Sequence, residues 1–341
     1  MAMLKSLVKG KDVALQLANC KIFNKRIPIR LSLQATKKCN LKCEYCYTAN
    51  DPSWQERTTE QLCDLFDEMY SRGTRWVNIL GGEPLMRKDI GDIVKYAKKK
   101  HMYVELATNG WFIKNNIDVL KKVDHLFVSI DGDRKTCDIT RGKGTYDKVI
   151  EGITLLNENN IRFRLHAVLT KYSRDSFEHM LMLSKKYNAP VNFSEPGMVP
   201  GKKHLLLSEP EVVEFYKKVQ EYKKKGYQIS SPWIALKYLI SFPKKDDDLV
   251  YETDPPEIKK QVYPCYMKHR NCFVDVEGGF YACGRMWGKG LNIYKDGFDK
   301  CWEYLKNLPC YACRNMGAIE QSLVLNMNSK AILNALGSYV Q

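Results

Sequence analysis

Three cysteines in the first fifth of the chain are spaced so that their thiolates could converge on one metal centre. Cys39, Cys43 and Cys46 form a C-x3-C-x2-C run. Thiolates select soft metals, above all iron–sulfur clusters and zinc. A structural zinc site normally closes with four ligands. Three cysteines leave one coordination position open, which favours chemistry at the metal. The alternatives are a zinc knuckle or three buried thiols.

A glycine-rich turn supplies a second candidate group of binding residues. Residues 76–80 have the apolar pattern of a buried strand and lead directly into Gly81-Gly82-Glu83-Pro84-Leu85. Paired glycines allow the backbone to approach a ligand closely, and the Glu83 carboxylate can accept a hydrogen bond from an ammonium group.

The cysteine run, with Tyr47 after it and the Gly-Gly-Glu-Pro segment downstream, resembles the signature of the radical S-adenosylmethionine (radical SAM) enzymes. The resemblance implies that the three cysteines hold a 4Fe–4S cluster whose open iron binds SAM. In that family the reduced cluster cleaves SAM to methionine and a 5'-deoxyadenosyl radical, which takes a hydrogen atom from the substrate. The cofactor carries the chemistry, and the protein places and shields it.

The same resemblance implies further SAM contacts, each in a segment that follows a strand or lies close to the cysteine run. The expected contacts are Tyr45, through its backbone near adenine, and Gly82, Glu83, Asn109, Ser129, Asp131 and Arg141. Asn-Gly and Asp-Gly pairs also favour tight turns, so ordinary turn chemistry is the alternative for several of them. The candidates for a substrate acid or base are Glu195 and His166, for which a salt-bridged glutamate and a core histidine are the alternatives.

A second group of cysteines lies in the last quarter of the chain. In a chain without an export signal, such density indicates metal binding rather than disulfides. Residues 273–282 between two of these cysteines read as a β-hairpin about a Glu-Gly-Gly turn. The group consists of Cys265, Cys272, Cys283, Cys301, Cys310 and Cys313.

This segment resembles the SPASM/Twitch extension of radical SAM enzymes, and the shorter Twitch version, with one auxiliary 4Fe–4S cluster, matches better because no cysteine follows Cys313. The resemblance implies four ligands, Cys265, Cys283, Cys310 and Cys313. Cys272 competes as first ligand and Cys301 as third, and a four-thiolate zinc site is the alternative. The remaining thiols, Cys20, Cys63 and Cys137, are interpreted as buried or incidental.

Strand-like runs alternate with helical stretches through the first two thirds of the chain, which predicts a parallel sheet. The strands are expected at 29–36, 76–80, 103–107, 125–130, 163–169 and 191–194, and the helices near 58–72, 90–100, 115–122, 146–159, 174–187 and 209–226. The fold class is α/β, and the resemblance gives it the shape of a partial (β/α)6 barrel with a small C-terminal α+β cluster domain.

The expected organisation has four parts: a basic extension at 1–28, the barrel at 29–235, a charged linker or lid at 236–262, and the cluster domain with a tail at 263–341. The extension is either a basic amphipathic helix suited to a membrane or partner, or a cap on the bottom of the barrel. No signal peptide and no run of 18 apolar residues occurs, so we expect a soluble, cytoplasmic protein.

The chain carries 54 Lys and Arg against 39 Asp and Glu, a net charge of +15, but the lysines are scattered and give no specific nucleic-acid signal. We expect a radical SAM enzyme acting on a small biosynthetic substrate, with an electron donor of the flavodoxin or ferredoxin type. A peptide or protein substrate, a lipid substrate, and a non-catalytic zinc or iron–sulfur binding protein are the alternatives.

Overall fold

The computed structural model describes residues 2–46, 55–196, 203–244 and 247–330, with side chains from residue 10 onward. Tyr47, which belongs to the cysteine signature, and the tail after residue 330 lie outside this part of the chain. The chain begins with helix α1 (Ala2–Ile22). Among the described residues, no helix is both long and apolar enough to cross a bilayer.

Six strand and helix units follow in alternation. They are β1 (Arg30–Gln34) and α2 (Thr59–Ser71), β2 (Trp76–Leu80) and α3 (Ile90–Lys99), β3 (Tyr103–Thr108) and α4 (Ile117–Leu120), β4 (His125–Ser129) with α5 (Arg134–Arg141) and α6 (Thr145–Glu158), β5 (Arg164–Val168) and α7 (Phe177–Tyr187), and β6 (Val191–Ser194) and α8 (Glu209–Lys224). Neighbouring strands pair in parallel in chain order. This confirms the α/β class and the six predicted strands. Helix α5 is an addition that the sequence pattern did not predict.

The rest of the chain forms smaller elements. They are α9 (Trp233–Ile240), β7 (Leu249–Tyr251), α10 (Pro256–Lys259), α11 (Met267–Arg270), β8 (Asn271–Val274), β9 (Gly279–Tyr281), β10 (Leu291–Asn292), α12 (Ile293–Asp296), α13 (Phe298–Lys306), β11 (Cys310–Cys313) and α14 (Met316–Leu325). The predicted hairpin is present as β8 and β9, which pair antiparallel.

The hairpin is not separate from the barrel sheet. Strand β8 pairs in parallel with β1, so that the nine strands run in the order β10-β9-β8-β1-β2-β3-β4-β5-β6. A barrel that stopped at β1 would leave a row of unpaired backbone groups at that edge, and β8 supplies their partners. The segment 236–262, expected to be a linker, contributes β7, which pairs antiparallel with β11. The predicted linker at 236–262 and the predicted cluster domain that follows it are thus both hydrogen-bonded into sheets.

The two faces of the barrel strands differ in character. Leu31 and Leu33 of β1 belong to the main apolar core, whereas the alternating residues Arg30, Ser32 and Gln34 are buried polar side chains on the opposite, concave face. This alternation is the period of two that a strand imposes. The concave face is therefore a polar interior, available for chemistry rather than filled with apolar side chains.

Helix α14 joins the two ends of the barrel. Asn192 of β6 donates to Glu320 of α14 over 3.5 Å, and Arg30 of β1 donates to Gln321 over 3.2 Å. The backbone N–H of Met316 donates to the Glu195 carboxylate at 3.2 Å. One helix thus bonds to both the first and the sixth barrel strands, and it closes the side that the sheet leaves open.

Candidate active site

The three-cysteine loop begins immediately after β1, at the carboxyl end of the parallel strands. The backbone N–H of Glu44 donates to the carbonyl of Thr140 at the end of α5 over 2.9 Å, and Cys46 N donates to the Cys43 carbonyl at 3.1 Å. Cys39 and Cys43 are half-buried and Cys46 is exposed. The loop is therefore held between β1 and α5 with its thiols at the edge where parallel sheets assemble their sites.

The Gly81-Gly82 pair is required by this loop. Gly82 N donates to the Thr36 carbonyl at 2.7 Å, and Glu83 N donates to the Lys38 carbonyl at 2.7 Å. A Cβ at Gly82 would lie 2.2 Å from the Lys38 carbonyl oxygen, and one at Gly81 would lie 2.4 Å from that of Thr36. The glycines allow two backbones to touch, so the turn fixes the position of the cysteine loop.

Glu83 is fully buried, and its carboxylate is bound by groups of the protein. It accepts hydrogen bonds from Leu85 N at 3.1 Å, the Thr108 hydroxyl at 2.8 Å and Asn109 N at 2.6 Å. Burial raises the pKa of Glu83 to about 7, against the opposing effect of these donors. From sequence, the Glu83 carboxylate is a candidate acceptor for an ammonium group. In the structure it accepts hydrogen bonds from protein groups and joins the turn after β2 to the end of β3.

Asn109 connects the end of β3 to the cysteine loop. Its Nδ2 donates to Asn40 Oδ1 at 2.8 Å and lies 3.8 Å from Cys39 Sγ, and its Oδ1 accepts from Trp111 N at 3.0 Å. The amide therefore lies beside the first of the three thiols.

Asp131, Arg141 and Tyr45 form one buried network next to the second thiol. Arg141 donates from Nε and Nη2 to the two carboxylate oxygens of Asp131, each at 2.9 Å, and the Tyr45 hydroxyl donates to Asp131 at 2.7 Å. The Arg141 guanidinium also lies 5.6 Å from the Tyr45 ring centroid. Arg141 and Asp131, each expected as a SAM contact, bind each other and hold Tyr45.

The acid–base candidates occupy the far wall of the concave face. His166 on β5 lies in register with Ser129 on β4. Its Nδ1 is 2.6 Å from Asn192 Oδ1 and its Nε2 is 3.2 Å from the Ser194 hydroxyl. Burial lowers the pKa of His166, so the ring is neutral at pH 7, with Nδ1 donating and Nε2 accepting. Glu195 is bound to α14 through Met316 N, and burial raises its pKa.

Sequence reasoning missed two residues on the opposite wall. Gln34 on β1 is 1% exposed, and neither its amide oxygen nor its amide nitrogen has a hydrogen-bond partner among the described residues. Asn78 on the same face of β2 has an unpartnered, buried Oδ1 within that same part of the chain. The signal that could have found them is their place in the alternation of β1 and β2, where polar residues stand at buried positions.

Four cysteines of the C-terminal group lie together. Burial and then the thiols of Cys283 and Cys310 raise the pKa of Cys265 to about 12. Burial and the thiols of Cys265 and Cys283 raise the pKa of Cys313 well above its usual range. Cys265 N donates to the carbonyl of Tyr311, between the two cysteines of β11, at 2.7 Å. The structure therefore brings together the four cysteines favoured from sequence.

The two competing cysteines lie elsewhere. Cys272 is buried with its Sγ 3.7 Å from the Arg30 carbonyl, and the charged group that influences its pKa is Arg30. Cys301 on α13 has Asp296, Lys300 and Glu68 as its charged neighbours. Cys20 and Cys137 are buried, and Cys63 is half-buried on α2.

The donor sets fit iron–sulfur clusters. Burial raises the pKa of Cys43 to about 12, with the thiols of Cys46 and Cys39 adding to the rise and Arg141 opposing it. Burial opposes ionisation of the Cys43 thiol, and a cation bound at the loop would favour its thiolate form, which is a role that iron can fill. In the described residues no three His, Cys, Asp or Glu side chains already surround a common point as metal ligands. The fit thus rests on thiol chemistry and on the loop position.

The structure combines a parallel sheet that carries a three-cysteine loop at the carboxyl ends of its strands with a second group of four thiols. Residues 33–183 match the model of the Radical SAM superfamily, so this part of the chain is similar to a radical SAM domain.

Among curated relatives, Fe-coproporphyrin III synthase of Methanosarcina barkeri is 37% identical over 142 residues, covering 40% of this chain and 36% of the relative. Mycofactocin maturase MftC of Mycolicibacterium smegmatis is 31% identical over 175 residues, covering 49% and 44%. The match to this chain thus spans less than half the length of either relative. AdoMet-dependent heme synthase of M. barkeri is 27% identical over 290 residues, covering 81% and 82%.

Among solved structures, Streptococcus suis SuiB bound to S-adenosylmethionine superposes with a TM-score of 0.67 at 18% identity, covering 85% of this chain and 70% of SuiB. At this identity the likeness establishes the shared fold.

Proposed function

We propose that this protein is a radical SAM enzyme that cleaves SAM reductively and abstracts a hydrogen atom from a small biosynthetic substrate. The observation that carries the proposal is the contact between the cysteine loop and the Gly81-Gly82 turn. The two backbones are so close there that a Cβ at either glycine would clash with a carbonyl oxygen of the loop segment. Such contact keeps three thiols at the carboxyl edge of the barrel, above the polar concave face.

In this proposal Cys39, Cys43 and Cys46 hold the SAM-binding 4Fe–4S cluster. When bound, the cluster and SAM supply one-electron reductive cleavage of SAM and a 5'-deoxyadenosyl radical. Asn109 lies beside the first thiol and is placed to orient SAM, while Glu83 positions Asn109 through its backbone N–H. Asp131 and Arg141 act as a pair that fixes Tyr45, whose backbone remains the expected contact to adenine.

Cys265, Cys283, Cys310 and Cys313 hold a second, closed 4Fe–4S cluster that assists redox chemistry. Their segments are fixed by the pairing of β7 with β11 and by the bond from Cys265 N to the Tyr311 carbonyl. Tyr238 donates to the Cys313 carbonyl at 3.0 Å, which ties α9 to the same site. Four thiolates leave no open iron, so this site suits electron transfer.

The polar concave face supports a small substrate with hydrogen-bonding groups. Gln34 and Asn78 offer unpartnered amide atoms on one wall, and His166 with its partners Asn192 and Ser194 stands on the other. The heme synthase that matches most of this chain has a small-molecule product by its name. A second candidate, maturation of a peptide, is favoured by the 31% identity to a mycofactocin maturase.

The test is iron and sulfide content together with dithionite-driven SAM cleavage on anaerobically reconstituted protein. We expect about eight irons per chain for two 4Fe–4S clusters, with 5'-deoxyadenosine formed. Replacing the three loop cysteines by Ala should leave about four irons and no cleavage. Replacing Cys310 and Cys313 should remove about four irons and spare some cleavage.

Cys272→Ala and Cys301→Ala are the matched controls, because these thiols lie apart from both groups. They should retain all iron. Zinc in place of iron, or cleavage that survives loss of the loop cysteines, would contradict the proposal. Stimulation of deoxyadenosine formation by a small-molecule fraction of cell extract, and not by its peptide fraction, would select the first candidate over the second.

A further inference from the structure

Helix α1 packs one of its faces against the amino ends of the barrel strands. Leu17 and Cys20 on this face are 5% and 0% exposed. They belong to a small apolar cluster with Ile29, which directly precedes β1, and with Trp76, the first residue of β2. The cysteine loop begins at the opposite, carboxyl end of β1. The outer side of α1 therefore belongs to the end of the barrel that faces away from the cysteine loop.

The opposite side of α1 is apolar at exposed positions. Leu15 is 62% exposed and Ile22 is 72% exposed, and Phe23, directly after the helix, is 62% exposed. In the part of the chain that the structure describes, these are the most exposed large apolar side chains. Successive helix residues are about 100° apart, so Leu15 and Ile22 project within about 20° of each other and roughly opposite to Leu17 and Cys20. We call Leu15, Ile22 and Phe23 the outer apolar face.

Exposed lysines surround the outer apolar face. Lys11, Lys21 and Lys25 are exposed, and none of them is paired with an acidic side chain of the described residues. The Lys25 Nζ lies 5.5 Å from the centroid of the Phe23 ring. The sequence of α1 contains four lysines and a single acid, Asp12. Apolar side chains among lysines are the composition of helices that lie in the interface of an anionic bilayer.

We propose that α1 attaches this protein to an anionic membrane surface. The outer apolar face lies at the boundary between headgroups and acyl chains, and Lys11, Lys21 and Lys25 bind lipid phosphates. Such attachment is peripheral, and it needs no helix that crosses the bilayer. Because α1 lies at the amino ends of the strands, the cysteine loop at their carboxyl ends faces away from the membrane, and the barrel receives its substrate from the aqueous side. The attachment does not depend on the proposed SAM chemistry.

Charge selects a lipid surface over a second copy of this chain. Two copies that paired through the outer apolar face would bring their lysines together, and like charges across an interface repel. Lys11 lies within about 40° of Leu15 and Ile22 around the helix, so a seam between two helices would bury it. A bilayer accepts this arrangement, because a lysine stem can lie along apolar tails while its ammonium group stays at the phosphates.

The test is co-sedimentation of the full-length, reconstituted protein with vesicles of phosphatidylcholine, either alone or mixed with phosphatidylglycerol. Ile22→Ser and Lys21→Glu change α1 at exposed side chains. Met182→Ser and Lys185→Glu on α7 are the matched controls, because they make the same kinds of change at exposed positions of another helix. Circular dichroism checks that each variant is folded, and sedimentation velocity without lipid measures its oligomeric state.

We expect the wild-type protein to bind the vesicles that contain phosphatidylglycerol. Ile22→Ser should bind them about tenfold more weakly, because the substitution removes an apolar side chain that the membrane buries. Lys21→Glu should also bind about tenfold more weakly at low salt, and this difference should shrink at high salt. Both α7 variants should bind as the wild type does.

Three results would overturn the attachment. The first is a wild-type protein that does not bind phosphatidylglycerol vesicles, and the second is equal binding by the wild type and both α1 variants. The third is a lipid-free dimer that Ile22→Ser dissociates, without vesicle binding, which would assign the outer apolar face to a second copy. Dithionite-driven SAM cleavage by Ile22→Ser should equal that of the wild type, so attachment and the proposed function are tested separately.

Discussion

Replacing Gln34 by leucine should make the protein more stable. Both atoms of the Gln34 amide are buried without a partner among the described residues, and the side chain is 1% exposed. A buried polar group without a hydrogen bond costs about 1 to 3 kcal/mol of folding free energy. Leucine occupies a similar space without polar atoms. A buried group that costs stability is expected where a fold keeps a position for binding a ligand.

The expected gain is about 1 to 3 kcal/mol, which corresponds to a rise in Tm of about 1 to 4 °C for a chain of this size. Scanning calorimetry and urea unfolding of the same preparation measure the two quantities. Unfolding should be compared at constant m-value, so that the change reports stability and not a different unfolded state.

Gln321→Leu is the matched control. The Oε1 of Gln321 accepts a hydrogen bond from Arg30 at 3.2 Å. Gln321→Leu therefore removes a hydrogen bond that the folded protein makes, whereas Gln34→Leu removes none among the described residues. Gln321→Leu should lower stability by about 1 kcal/mol. If Gln34→Leu also destabilises the protein, the Gln34 amide is paired in the folded state and the assignment of this wall as a substrate surface fails.

Three further substitutions test other parts of the structure. Gly82→Ala places a Cβ 2.2 Å from the Lys38 carbonyl oxygen; about half the iron should be lost, all from the loop, as measured by iron analysis and EPR. Asp131→Asn leaves Arg141 buried without its carboxylate, and urea unfolding should show a loss of about 3 to 5 kcal/mol. Burial lowers the pKa of His269 from 6.5 in the unfolded chain to about 4 in the folded protein. The unfolded chain therefore binds the proton first as the pH falls, so the protein keeps its full stability above pH 6.5 and loses part of it between pH 6.5 and 4. His269→Gln should remove about 2 kcal/mol of that pH dependence, after allowance for solvent screening.

The alternation of strands and helices could be predicted from sequence, because the side-chain repeats of a strand and of a helix both depend only on residues that are close in the chain. The strands at 76–80 and 191–194 have the bounds expected for them, and the helix expected near 209–226 is present as α8, which Ser208 caps. The fold class followed from this alternation and is confirmed. The division into four parts, the ligand assignments and the SAM contacts remain predictions.

The cysteines could be sorted only in part from sequence. Spacing indicated two groups, but it left Cys272 and Cys301 as competitors, because distance along the chain does not determine distance in space. The pairing of β11 with β7 and the bond from Cys265 N to the Tyr311 carbonyl bring Cys265 close to Cys310 and Cys313. Cys283 is a neighbour that raises the pKa of both Cys265 and Cys310. Cys272 is excluded from that group because the pleat of β8 turns it towards the Arg30 carbonyl.

The sequence by itself determined the kinds of chemical group this protein carries and the strand ends at which they stand, since both depend on local order. Tertiary structure decided what those groups face. It paired Asp131 with Arg141, although each was expected at SAM, and it joined the auxiliary hairpin to β1. It also placed Glu320 of α14 against β6 and left Gln34 buried without a partner among the described residues. These outcomes depend on contacts between distant segments, and a linear pattern contains no information about which distant groups will meet.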